Sequence, residues 1–164
     1  MAVVNEWANS NLEAGKPGNP AKVFGGKILC LVSEVEVAEA DDDGSIYKLG
    51  RLPANAIPIR CSIFNDAIAD ATDYDLGLYE ENGTDAADAD LFMDGVDINA
   101  GNAIGSAQNG LAAGPSIDEM NQKVWELLGK TLANKKEGYV LALTANTVGS
   151  ADGTISVVFE YILG

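Results

Sequence analysis

The chain contains no histidine. That removes the commonest general base, the commonest metal ligand and every Ser-His or Cys-His nucleophile pair. It contains two cysteines, Cys30 and Cys61, so no four-ligand zinc set of sulfur and imidazole can be assembled. Both sit in stretches that read as strands, KILCLV and PIRCSI. They could pair if those strands are neighbours, but buried free thiols are the expected state, since free cysteine is among the most buried residue types. Basic residues are also scarce, with ten Lys and Arg against 25 Asp and Glu and a formal net charge of -15. From Cys61 to Gln122 there is no Lys or Arg, while thirteen carboxylates fall in that span. Duplex binding draws most of its affinity from cations on phosphates, so nucleic acid is excluded as a partner, and anionic lipid with it. No apolar run approaches the ~18 residues of a membrane span. The first twenty residues lack a basic stretch followed by an apolar core, so no secretory signal is expected.

What is present is a globular composition, 164 residues of which 47% are apolar. That length suits one domain able to bury a core without disulfide or metal staples. The organising stretch runs from Ile57 to Asn82. Ile57, Ile59, Cys61 and Ile63 alternate with other residues, and so do Tyr74, Leu76 and Leu78 with Asp73, Asp75 and Gly77. A period of two marks half-buried strands. The two strands read as a pair with one apolar face, joined through residues 65–72. Pro58 cannot donate a ladder hydrogen bond, which places it at a sheet edge or a strand start.

Around this pair the chain divides into an arm, residues 1–21, and a domain, residues 22–164. The arm scatters Val3, Val4, Trp7 and Leu12 through a setting rich in Asn, Gly and Pro. A Trp and two Val in such a setting suggest packing on the domain or on a neighbour, and these four are the partner-contact candidates. Lys22–Ala40 and Ser45–Arg51 read as strands, with Asp43-Gly44 as a hairpin turn. A calcium loop starting at Glu39 fails, because its twelfth position is Gly50, which has no ligand side chain. Asp85, Asp88, Asp90, Asp94 and Asp97 could gather around a hard cation, but their spacing matches no metal motif, and no metal or cofactor is expected. Residues 99–114, rich in Ala, Gly and Asn, read as a surface loop.

One amphipathic helix is expected, over about 116–129. Ser116 and Glu119 form a capping box, Ile117, Met120, Val124, Leu127 and Leu128 follow at helical spacing, and Gly129 sits at the left-handed C-cap. A closing hairpin joins Glu137–Asn146 to Gly153–Tyr161, with Ile155, Val157, Phe159 and Tyr161 on one face. Seven or eight strands with one helix and no βαβ alternation imply an all-β fold, an antiparallel two-sheet jelly-roll sandwich.

The segments YKLGRLPANAIPIRCSIFNDAIADATDYDLGLYEENG, DLFMDGVDI, KVWELLGKTLANKKEGYVLALTANT and GTISVVFEYI carry a resemblance. It rests on Leu49, Leu52, Pro53, Ala54, Ala56, Ile57 and the run Asp73–Tyr79, then on Val124, Trp125, Leu127, Gly129, Tyr139 and Leu143. In these the chain resembles the head decoration, or cement, proteins of tailed bacteriophages. The resemblance spans about Val23 to the C-terminus and leaves the arm uncovered. It implies a jelly roll without enzymatic activity, made in the host cytoplasm and carried on the outside of the virion head. The implied partners are the major capsid protein and two further copies in a homotrimer.

Two other readings follow from the residues. Jelly rolls often carry sugar sites, and loops rich in Asp and Asn would suit a carbohydrate-binding module, calcium-dependent if those loops hold the ion. Asp73 and Asp75 could serve as the paired carboxylates of a glycosidase. They fall on one face of a single strand, however, where solvated surface is the default.

Overall fold

The computed structural model describes residues 27–103, 108–110, 116 and 119–164. The arm with Val3, Val4, Trp7 and Leu12, and Ile117 of the expected helix, lie outside the described residues. The strands are β1 (Leu29–Val37), β2 (Ser45–Pro53), β3 (Ala56–Asn65), β4 (Asp73–Tyr79), β5 (Ala86–Val96), β6 (Gln108–Gly110), β7 (Gly138–Thr147) and β8 (Gly153–Leu163). A single helical turn, α1 (Val124–Leu127), precedes β7. The strands form two antiparallel sheets, ordered β1-β8-β3-β6 and β2-β7-β4-β5. Most successive strands change sheet, and the first strand pairs with the last. That is the jelly-roll order the sequence predicts.

The period of two decides which side chains fill the sandwich. On β8, Ile155, Val157 and Phe159 are fully buried, while Thr154, Ser156, Val158 and Glu160 line the outer face. Tyr74, Leu76 and Leu78 of β4 meet them from the second sheet, with Tyr139, Leu141, Leu143 and Ala145 of β7. Phe92 and Phe159 pack edge to face across the core, their centroids 4.8 Å apart at 61°. This geometry sets a positive ring edge against a negative ring face.

Three local pairings differ from expectation. β3 and β4 belong to opposite sheets, so the stretch from Ile57 to Asn82 is a crossing of the sandwich and not one apolar-faced pair. β1 and β2 do not form a hairpin at Asp43-Gly44, because β1 pairs with β8 and β2 with β7. The closing hairpin fails for the same reason, since β7 lies in the second sheet and β8 in the first. Each turn is real, with Gly44 at φ 87° and Gly149 at φ 102°. A reversal of direction does not state which sheet the next strand will join. The turn at Asn82-Gly83 does make a hairpin, joining β4 to β5.

Pro58 sits near the start of β3, just before a bulge between Pro58 and Arg60. β6 reaches only Cys61, Ser62 and Ile63, so among the described residues β3 has no second neighbour at Pro58. Residues 99–114 are not all loop. Asn102 bridges to Asn65, and Gln108–Gly110 forms β6 on the edge of β3. The low complexity of this run hid a strand too short for alternation to show.

The helix is shorter than expected. Residues 119–121 form turns, Lys123 is extended at φ -76°, ψ 155°, and only Val124–Leu127 is helical. Half of the capping box and the C-terminal glycine nevertheless operate, Glu119 N–H turning to the Ser116 carbonyl and not to its side chain. Glu119 Oε2 accepts from Ser116 N–H at 2.9 Å, and Glu126 Oε2 accepts from Lys123 N–H at 2.7 Å. Gly129 takes φ 63°; its N–H donates to Glu126 C=O and that of Lys130 to Trp125 C=O, a Schellman closure. Val124 is buried and Trp125 half-buried against the core, while Met120 is 41% exposed.

The cysteines do not pair. β8 separates their strands, Cys61 is buried, and Cys30 is exposed on the opposite face, so only one of the two thiols matches the buried expectation.

Candidate functional site

The strand directions place the loops 38–44, 66–72, 148–152 and the one opening at Asp97 at one end of the sandwich. Among their described residues there is no Lys or Arg, while Glu39, Asp41, Asp42, Asp43, Asp66, Asp70, Asp97 and Asp152 are acidic. Several of these carboxylates tie one loop to another. Asp152 Oδ1 accepts from Glu39 N–H at 2.8 Å, and Asp43 Oδ1 from Val148 N–H at 3.0 Å. Asp70 Oδ2 accepts from Ser150 Oγ at 2.6 Å, and Asp66 Oδ2 from Thr154 N–H at 3.1 Å. Asp41 Oδ2 accepts from Tyr47 OH at 2.8 Å and from Ala38 N–H, whose bond holds its carboxyl below the usual range. The acids therefore organise the loops as well as charging them. An end of this sign repels phosphate-bearing partners.

The five aspartates from Asp85 to Asp97 do not gather. They are strung along the length of β5, and among the described residues no group of three ligating side chains could hold a metal ion. Asp88 and Asp90 do meet. Burial, and a hydrogen bond that the protonated Asp88 carboxyl donates to the Asp90 carboxylate, push Asp88 up to about 6.

Asp73 and Asp75 are placed by the same hairpin. Asp75 is buried, not solvated, and accepts from Asn146 Nδ2 at 2.6 Å and Gly95 N–H at 2.9 Å. Asn146 Nδ2 also reaches Asp73 Oδ1 at 3.2 Å. The pair is thus held by amide donors in the floor of a strand. The cover over it comes from β5. Between the partners Leu76↔Met93 and Leu78↔Asp88, β5 carries extra residues that arch over the outer face of β4. The backbone of Asp88 and Ala89 lies against Gly77, where a Cβ would stand 2.2 Å from the Ala89 carbonyl. Tyr79 and Ala142 are buried on that face, and Tyr79 OH meets Thr144 Oγ1 at 2.5 Å.

The outer face of the first sheet is different. Val32 is 68% exposed and lies directly opposite Val158, which is half-buried. Phe64 borders a groove of about 370 Å³ lined also by Asn65, Asp66, Asn102, Thr154 and Ser156. Asn65 has no donor left for a ligand there. Its Nδ2 donates to the carbonyls of Asp66, Ile98 and Ala100, and its Oδ1 accepts from Asn102. The exposed valine row was missed in the sequence. Its signal was the unbroken apolar run Ile28–Val32, the pattern of a strand covered on both faces.

No protein-family model and no curated protein matches the chain. Its fold matches chains in two solved phage capsids. One, in the capsid of Ralstonia phage GP4, has a TM-score of 0.59 and 17% identity over 85% of this chain and 86% of that one. The other, in the Cyanophage Pam1 capsid asymmetric unit, has a TM-score of 0.52 and 17% identity over 100% of both chains. The fold is one that phage capsids use. Among the described residues no helix is long and apolar enough to cross a membrane.

Proposed function

We propose that the chain is a structural virion protein of a tailed phage, a decoration or cement protein that binds the outer surface of the head and stabilises it. The observation that carries this reading is the jelly roll shared, along nearly the whole length of each chain, with proteins of two phage capsids. The role requires no catalysis, and the carboxylates that the sequence offers for a glycosidase, Asp73 and Asp75, accept from Asn146 and Gly95. Its partners are the major capsid protein and two further copies of itself, and its place is the virion exterior after synthesis in the host cytoplasm. Residues 1–21 form the contact arm, with Val3, Val4, Trp7 and Leu12 as its anchors. The test is addition of purified protein to heads of the encoding phage that lack it. Saturable co-sedimentation, added density at three-fold positions and a raised melting temperature of the head are expected. Heads that sediment without the protein would end this reading.

A carbohydrate-binding module is the second reading, favoured by the groove beside Phe64, where a half-buried aromatic among polar Asn and Asp side chains could meet a sugar. Trp125, half-buried against the core, is not free for that use. A glycan array with and without calcium decides it.

A further inference from the structure

The two outer faces of the sandwich are finished differently. β5 arches over the second sheet, whose outer face buries Tyr79 and Ala142. Nothing comparable covers the first sheet among the described residues. There Val32 of β1 lies exposed beside the half-buried Val158 of β8, and the row ends on β3 at Ser62, which is buried. Phe64 lies one position along on β3, and Ile28, 58% exposed, stands where the described chain begins. A polar rim encloses these residues. Glu34 and Glu36 stand opposite Ser156 and Thr154, and Arg60 pairs with Glu160 at 2.7 Å. The run Ile28–Val32 is apolar at every position, as in strands covered on both faces. The outer face stands open at β1, where Ile28 and Val32 are exposed.

We infer that the seat formed by Val32, Val158 and Phe64 is occupied by residues 1–26 of a second copy of the chain. The inference rests on the reading of the protein as a self-assembling capsid component. The apolar residues of that segment, Val3, Val4, Trp7 and Leu12, precede a stretch holding Gly15, Pro17, Gly18, Pro20, Gly25 and Gly26. This spacer leads into β1, the edge strand of the same sheet. Extended chain spans at most ~3.3–3.6 Å per residue, so the spacer between Leu12 and Lys27 reaches roughly 50 Å. A four-stranded face is only about 15 Å wide at ~4.8 Å per strand. That limit leaves ample length for the segment to cross from its own β1 edge to the sheet of a neighbouring molecule. An exchange in which each copy covers the next is head to tail and closes as a ring, the symmetry of a trimer.

Cys30 makes the seat testable in the full-length chain. It is the exposed cysteine, on the same face as Val32, whereas Cys61 is buried. Its alkylation rate is measured in the wild-type protein and in Trp7→Asp. The expected result is a protected Cys30 in the wild type and loss of that protection in Trp7→Asp, with unchanged far-UV circular dichroism. In parallel, Asn5→Cys and Ser10→Cys chains are mixed with tagged wild-type chains and oxidised. Disulfides from the new cysteine to Cys30 of a differently tagged chain support the exchange. Links confined within one chain, or equal Cys30 reactivity in both proteins, overturn it. Head binding is scored separately. A chain that binds heads with a fully reactive Cys30 defeats this inference and leaves the proposed function standing, and exchanged arms without head binding do the reverse.

Discussion

Replacing Gly77 by alanine tests the cover that β5 lays over the second sheet. A Cβ at this position would stand 2.2 Å from the carbonyl carbon and oxygen of Ala89 and 2.3 Å from the Asp88 oxygen. Ordinary carbon contacts begin near ~3.5 Å, so the arch must retreat by more than an ångström. The obstacles are backbone atoms, which have no rotamer to change. Overpacking of a well-packed site costs roughly 1–3 kcal/mol. Loss of backbone freedom in the unfolded chain offsets about 0.4–1 kcal/mol of that. Retreat of the arch also opens Tyr79 and Ala142, both buried in the native state. We expect a net loss of about 2 kcal/mol, equivalent to roughly 4–8 °C in Tm for a chain of this size. Far-UV circular dichroism on heating measures it. Hydrogen exchange should accelerate first at the amides of residues 88–91. Gly44→Ala is the control, because its added Cβ meets nothing within 4 Å and only φ 87° opposes it. A Gly77→Ala protein as stable as the wild type, or more stable, would show that the arch does not rest on β4.

Three further expectations follow. Tyr74 is fully buried and its OH donates to Val148 C=O at 3.0 Å, with burial pushing the phenol up to about 12. Tyr74→Phe leaves that carbonyl without its donor and should cost about 1–2 kcal/mol in urea unfolding; no change would mean water replaces the hydroxyl. Gly129→Ala forces a Cβ into φ 63° and should lose about 1 kcal/mol, with Gly129→Asn losing less. Asp88 is raised to about 6 by burial and by Asp90, so its protonated form is the one the fold favours. Its contribution to stability is complete below the ordinary carboxyl pKa of ~3.9 and is lost as pH rises through about 6. The urea midpoint of the wild type, relative to Asp88→Asn, should therefore fall between about pH 4 and 7; a constant difference refutes the coupling.

Much of the fold was legible where it depends on neighbours in sequence. The alternation of Ile155, Val157 and Phe159 named the buried face of β8, and Asn82-Gly83 named a true hairpin. Glu119 and Gly129 act as caps even though the helix between them is broken at Lys123. What stayed hidden depends on residues far apart in the chain. Asp75 read as solvated because nothing near it shows that Gly95 and Asn146 will meet its carboxylate. The turns at Gly44 and Gly149 gave no hint that the strands they join lie in different sheets. The exposure of Val32 was hidden because every neighbour of it from Ile28 to Leu31 is apolar, and nothing local says that its face of β1 is open.

The position of β8 between β1 and β3 also orders events during synthesis. Leu29 pairs with Tyr161, and Ile57 with Ile162, so both older strands await β8, which is made after every other strand described. Until then the first sheet has no middle, and Ile63, Cys61 and Leu31 face water or a chaperone. β4 and β5, joined by a short loop, can close much earlier. The nascent protein is therefore half of a sandwich for most of its birth, and completion is a single late insertion along the full length of two waiting strands. Loss of β8 would leave β1 and β3 without their shared partner at once, so a single strand holds the first sheet together.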